Sequence, residues 1–252
     1  MLGPAWTPFI LATLAGCSPA HAAPKPLFAI GGGEPDAHTH VAFDAPKHLV
    51  GASVHVVVDR IAPAGLNFFA LQVDFGNATW AHGGVQDVDG DKAAHVRQVN
   101  WGGLVDRGGG NADYEKENDL ADLDKIQNAP AGQQLGPYAW KPGVEYAYSV
   151  ERGAQVTLQA GDYRLIPDRP LVHVDHPRKL WEWRFTVAPV AGQGAPFVAV
   201  LYDAAPSFTG FSVWNESGYG STDKAQHTSW SQPRYTEAGA TAAQAPVKWE
   251  RF

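Results

Sequence analysis

Cysteine is nearly absent: the 252-residue chain has one, Cys17. No internal disulfide can therefore form, and neither a cysteine nucleophile nor a zinc–thiolate site is available beyond that residue. Charge is also sparse, at 18% of residues, with a net value of −7. A negative balance argues against nucleic acid or an anionic membrane surface as partner. H-E-x-x-H does not occur, nor does G-x-S-x-G. The nearest approach to the latter, Gly218-Tyr219-Gly220-Ser221, has the wrong spacing for a nucleophile elbow, which discounts a serine hydrolase. The apolar run from Ala5 to Ala15 is too short for a bilayer anchor, so no transmembrane anchor is expected in the mature chain. Helix signals are few. The best is Glu115 to Gln127, with Leu120, Leu123 and Ile126 spaced by three, and it reads as a turn or two of helix inside a long loop.

The N-terminus reads as an address. Ala20-His21-Ala22 is an A-x-A cleavage site, and Leu14-Ala15-Gly16-Cys17 resembles a bacterial lipobox that would place a lipid on Cys17. No Lys or Arg precedes the apolar run. Both readings imply export, as a periplasmic, extracellular (secreted) or membrane-tethered lipoprotein. The expected organisation is a signal segment over residues 1–23, a flexible tether rich in Pro, Gly and Ala over 24–37, one β-sandwich domain over 38–236, and a loosely ordered tail over 237–252.

From His38 onward the hydrophobic period is two. Val54, Val56 and Val58 share one face. So do Phe69, Leu71, Val73 and Phe75, then Trp181, Trp183, Phe185 and Val187, then Phe197, Ala199 and Leu201. Side chains two apart lie on one side of a strand, so each run can bury one face. The nine tryptophans and 27 glycines suit an aromatic core or stacking surface between tight turns. The expected fold is all-β, an antiparallel jelly-roll (concanavalin-like) β-sandwich.

Four sets of residues could carry chemistry. Asp87, Asp89 and Asp91 alternate as in the start of a calcium loop, but Lys92 stands where the turn wants Gly and Gln98 where a bidentate Glu is wanted; an acidic hairpin turn is the plain alternative. His38 and His40 form H-x-H, and His173 and His176 flank Asp175, which could serve zinc, although they lie far apart in sequence. Glu182 and Glu216 sit among tryptophans and could be the two carboxylates of a glycosidase; Glu182 paired with Arg184 is the plainer reading. Finally, Thr79 to Gln86, Gln98 to Gly103 and Phe211 to Gly220 combine glycine, amide and aromatic groups. From these, Trp80, Gln86, Asn100, Trp101, Trp214, Glu216 and Tyr219 are expected to line one carbohydrate surface. Trp would stack on sugar C–H faces while the amide and carboxylate groups take hydroxyls.

The segments Phe68 to Gln86, Asn100 to Gly103, Tyr138-Ala139-Trp140-Lys141-Pro142-Gly143-Val144-Glu145-Tyr146 and Ser212 to Glu216 occur in an order that resembles exported bacterial proteins carrying the DUF3472 domain of unknown function. The resemblance implies a secreted β-rich protein with a link to carbohydrate, and it supplies no catalytic residues. The Gly-rich and acidic insert from Arg107 to Gln134 departs from that pattern. Three functional classes stay open at this stage: a glycan-binding or cell-envelope protein, a glycoside hydrolase or polysaccharide lyase on the same sheet face, and a structural lipoprotein. No cofactor is expected beyond a structural calcium at the acidic triplet.

Overall fold

The computed structural model describes residues 28–31, 38–63, 65–76, 79–90, 93–104, 135–163, 172–174, 176–192, 194–218 and 226–251. They form β1 (Phe28–Gly31), β2 (His38–Phe43), β3 (Leu49–Arg60), β4 (Leu66–Gly76), β5 (Thr79–Gly90), β6 (Ala93–Leu104), β7 (Leu135–Pro137) and β8 (Glu145–Leu158). There follow β9 (Gly161–Tyr163), β10 (Val172–Val174), β11 (Arg178–Pro189), β12 (Phe197–Asp203), β13 (Gly210–Gly218), β14 (His227–Glu237), β15 (Ala243–Gln244) and β16 (Val247–Arg251). No helix occurs among the described residues. The helical candidate at 115–127 lies outside them, as do Cys17 and the cleavage signals.

Two seven-stranded sheets hold nearly all of these strands. The first runs β1-β14-β3-β8-β11-β12, with β15 beside β14; the second runs β16-β2-β13-β4-β5-β6-β7. Strands β9 and β10 form a separate hairpin. Every pairing is antiparallel, and the chain changes sheet repeatedly, at β1–β2, β2–β3, β3–β4 and again at β12–β13 and β13–β14. This is the all-β sandwich that the period-two pattern requires.

The core lies between the sheets and is aromatic. Trp101 of β6 stacks on Phe185 of β11, with centroids 5.1 Å apart and planes 15° apart. Gly83 of β5 makes room for the stack: a Cβ there would lie 2.7 Å from the Trp101 ring and 2.8 Å from Phe185. Beside it, Tyr148 of β8 reaches across the sandwich. Its hydroxyl accepts from Val85 N at 3.0 Å and donates to Phe69 O at 3.3 Å. Gly84 is needed at that crossing, because a Cβ there would sit 1.8 Å from Phe69 O. Burial raises the cost of ionising Tyr148, and this desolvation pushes its hydroxyl far above the usual range, with the Val85 hydrogen bond opposing part of the rise. A second polar tie joins the sheets where Asn215 and Thr228 exchange hydrogen bonds of 2.9 and 3.0 Å.

Two boundaries differ from expectation. Part of the anticipated tether, Phe28–Gly31, pairs with β14, and the anticipated loose tail supplies β15 and β16, the latter pairing with β2. Ala245 is fully buried and donates its N–H to Pro233 O at 2.9 Å. The reason is backbone chemistry: unsatisfied edge groups accept an extended segment whatever its side-chain pattern.

Adding one methyl to Gly83 tests the central stack. Gly83→Ala should cost ~1–3 kcal/mol through overpacking, read as a lower urea midpoint with unchanged slope.

Candidate functional site

Strand alternation sorts the second sheet into two faces. Val41, Phe69, Leu71, Val85, Val99, Trp101 and Val213 belong to the core, whereas Leu66, Phe68, Ala70 and Trp214 form a separate buried cluster on the outer face. Cross-strand register then places the outer residues in rows. His40, Trp214, Ala70, Gly84 and Asn100 make one. His38, Glu216, Phe68, Gln86 and Gln98 make the next on one side, and Ala42, Ser212, Gln72, His82 and Gly102 the next on the other. Gly210, Asp74 and Trp80 follow at the end. Rows are about 7 Å apart and strands about 4.8 Å apart.

The face has a buried floor and a more accessible rim. Trp214 is 4% exposed: His40 stacks on it at 5.6 Å, and Phe68 and His82 meet it edge-on at 5.1 Å. Gln86, Asn100, His82 and Ser212 are buried as well. Partly exposed are His40, Gln72, Asp74, Trp80, Gln98 and Glu216. Trp80 packs one side on His82, centroids 4.8 Å apart, and keeps part of its surface open.

A cleft of about 300 Å³ opens at the Asp74 end of this face, lined by His40, Gln72, Asp74, Gly210, Ser212 and Lys248 among others. Asp74 is fixed at both ends. Thr209 N and Oγ1 donate to its carbonyl oxygen at 2.7 and 3.0 Å, and Gln72 Nε2 donates to its Oδ1 at 2.9 Å. Desolvation raises the Asp74 pKa above the ordinary 3.8, and the Gln72 hydrogen bond opposes part of that rise.

The expected site residues divide accordingly. Trp80, Gln86, Asn100, Trp214 and Glu216 share the outer face. Trp101 does not: it is fully buried in the core, because it is one residue from Asn100 and adjacent strand residues point to opposite faces. Tyr219 lies outside the described residues. Trp214 belongs to the floor and has no open ring face for stacking. Asp87 is no surface calcium ligand. It is fully buried and paired with Arg97 Nε at 3.0 Å, and Arg97 lies over the Trp140 ring, 5.1 Å from its centroid, while bonding Trp140 O at 3.2 Å. The side chain of Asp89, and all of Asp91, lie outside the described residues, which contain no group of three or more potential metal ligands. Glu182 cannot join Glu216, since it sits on β11 of the other sheet and pairs with Arg184 at 2.6 Å. Of the histidines, His40 faces the cleft and His176 is exposed in a loop; the side chains of His38 and His173 lie outside the described residues. The Trp140 motif is structural: its indole N–H donates to Gln86 O at 2.9 Å, and Lys141 N donates to the Tyr146 hydroxyl at 3.0 Å.

Asp74, Gln72 and Lys248 were not singled out from sequence. The available signal was a change along the outer face of β4, where apolar Leu66, Phe68 and Ala70 give way to Gln72 and Asp74.

The geometry defines the class as an antiparallel two-sheet β-sandwich with a polar cleft on one outer face. No protein-family model matches the chain, and no curated protein does. The crystal structure of Scytalido-glutamic peptidase with a peptide-based transition-state analog aligns over 89% of this chain and 90% of its own, at 8% identity and a TM-score of 0.39. The DUF3472 resemblance therefore stands on its motifs alone.

Two substitutions test this site. Arg97→Met removes the ion pair with buried Asp87 and should cost about 3 kcal/mol, the low end for a broken buried pair because Arg97 is 35% exposed; denaturant titration reads it. Asp74 has a raised folded-state pKa, so the stability it contributes is complete below 3.8 and is lost as pH rises through the raised value. Asp74→Asn keeps an acceptor for Gln72 and removes the partly desolvated charge. Its melting temperature should exceed that of the unsubstituted protein at neutral pH, with the gap closing in acid.

Proposed function

We propose that the outer face of the second sheet binds carbohydrate, and that the chain acts as an exported glycan-binding or cell-envelope-associated protein. The observation that carries this reading is the placement of Trp80, Gln86, Asn100, Trp214 and Glu216 on one face, continuous through His40 with the Asp74 cleft. Sugars need an aromatic surface for their C–H faces and fixed donors and acceptors for their hydroxyls. Trp80 offers the first; Gln72, Asp74 and Glu216 on the rim offer the second. The signal segment and the motif resemblance support export, and Cys17 is the proposed lipid attachment point.

Hydrolysis by paired carboxylates has less support. Glu216 lies six residues along β13 from Gly210, the register partner of Asp74. That separation is about 20 Å, whereas glycosidase carboxylates stand about 5–10 Å apart. A polysaccharide lyase is the enzymatic form compatible with the face, since it does not need that pair.

A glycan array probed with the purified chain, followed by reducing-end and unsaturated-product assays on each hit, tests the proposal. Trp80→Ala should abolish retention on the array with little change in melting temperature. Trp214→Ala should instead destabilise the domain by ~3–5 kcal/mol, as loss of a buried ring does. If Trp80→Ala leaves binding intact, this face is not the ligand surface.

A further inference from the structure

We propose that the open backbone of Gly210 is the seat of an uncharged sugar ring, whose hydroxyls bond Oδ2 of Asp74 while the next ring of the same chain stacks on Trp80. This rests on the carbohydrate reading of the same face and specifies its ligand as a neutral glycan of at least two rings. The first observation is that the fold does not require glycine at residue 210. Packing requires Gly83 and Gly84, since a Cβ at either would collide with a ring or a carbonyl, and φ values of +76° and +78° require Gly143 and Gly239. Gly210 has neither reason. Its φ is not positive, and, chain neighbours aside, a Cβ there would meet one atom within 4 Å: Asp74 Oδ2 at 3.8 Å, an ordinary contact. A glycine in a strand forgoes side-chain packing and adds backbone entropy to the unfolded chain. One that the fold does not demand marks a place where a ligand approaches the backbone closely.

The second is what borders that opening. Gly210 lines the cleft, and Asp74 is its register partner on β4. Gln72 bonds Oδ1 of Asp74, and Thr209 holds the Asp74 carbonyl twice. The carboxyl is thereby fixed with Oδ2 beside the open backbone, and no group among the described residues bonds that oxygen. Lys248 of β16, which is exposed, lines the same cleft. A carboxyl group and an amine thus share one small site, and a ligand of either charge would face a group able to carry the same one. A hydroxyl both donates and accepts, so it pairs with Asp74 in either protonation state and with Lys248 as well.

The third is alignment. Gly210, Asp74 and Trp80 are consecutive members of one cross-strand row on β13, β4 and β5. Gly210 and Trp80 therefore lie about 10 Å apart, two strand spacings, with Asp74 between them. The cleft volume of about 300 Å³ is at the small end of ligand pockets and suits one ring. A second ring that follows the row leaves the cleft over Asp74 and reaches the partly exposed indole of Trp80, where its C–H face can stack.

The test is calorimetric titration of the full chain with short neutral cello-, manno- and xylo-oligosaccharides, the matching monosaccharides, and oligouronides. One neutral series should bind roughly tenfold more tightly than its monosaccharide and than the oligouronides, the scale of one good polar or stacking contact. Gly210→Val, whose side chain would occupy the seat, should weaken that binding roughly tenfold or more with the melting temperature unchanged. Asp74→Ala should weaken it by a similar factor. Full binding by Gly210→Val places the ligand outside the cleft and overturns the proposal, and a lowered melting temperature in that variant overturns its premise. Equal affinity for monosaccharide and oligomer refutes the second ring on Trp80, and tighter binding of oligouronides refutes the neutral assignment. Each of these outcomes leaves the carbohydrate reading standing. Absence of binding by every probe removes that reading and this one together.

Discussion

The stack of Trp101 on Phe185 above Gly83 is the contact on which the two sheets depend. A Cβ at residue 83 would collide with both rings, so the absence of a side chain on β5 lets an indole from β6 and a phenyl from the opposite sheet meet face to face. Sheets normally pack about 10 Å apart with interdigitated side chains, and here the largest residues fill that gap. Tyr148 and Trp230 complete the layer edge-on, with ring centroids 6.0 Å apart. The Tyr148 hydroxyl then ties itself to the Phe69 carbonyl and Val85 N–H at the neighbouring crossing of β4 and β5. Register is fixed there, and a one-residue slip would exchange the two faces of the strand.

Fixing the inner face also fixes the outer one. With Trp101 turned inward, Asn100 must turn outward; with Val85 inward, Gln86 must lie outward. The functional rows are therefore a consequence of core packing. The floor around Trp214 adds stiffness to them. Its ring is held by Phe68 and His82 and covered by His40, and His40 in turn lines the cleft. The rim residues stand on that packed layer, which limits the ordering cost that a ligand would otherwise meet on binding.

Much of the fold was legible in the sequence because it depends on local alternation. The runs in β3, β4, β11 and β12 bury the faces that their period-two patterns mark. Two features were not legible. Trp101 looked like a ligand platform because Asn100-Trp101-Gly102 has a sugar-friendly composition, and composition carries no parity. Only the position of Val99 in the core, two residues away, decides which way the ring points. Asp87 looked like a metal ligand because its partner, Arg97, is ten residues distant and meets it only through the β5–β6 register. The pairing of β1 and β15 has a related reason, since edge pairing is satisfied by backbone groups that every sequence shares.

Asp74 shows what pairwise patterning leaves out. On β4 it is one polar residue at the end of an outward series, and nothing beside it in sequence marks it. Its character comes from elsewhere: burial, an amide from Gln72, a doubly held carbonyl from Thr209, and the bare backbone of Gly210. A carboxyl in that setting works against stability at neutral pH, where an asparagine of the same shape would not. Local consistency is the rule in stable folds, and departures from it concentrate where binding or catalysis requires them. In this sandwich, Asp74 departs from that rule inside the cleft.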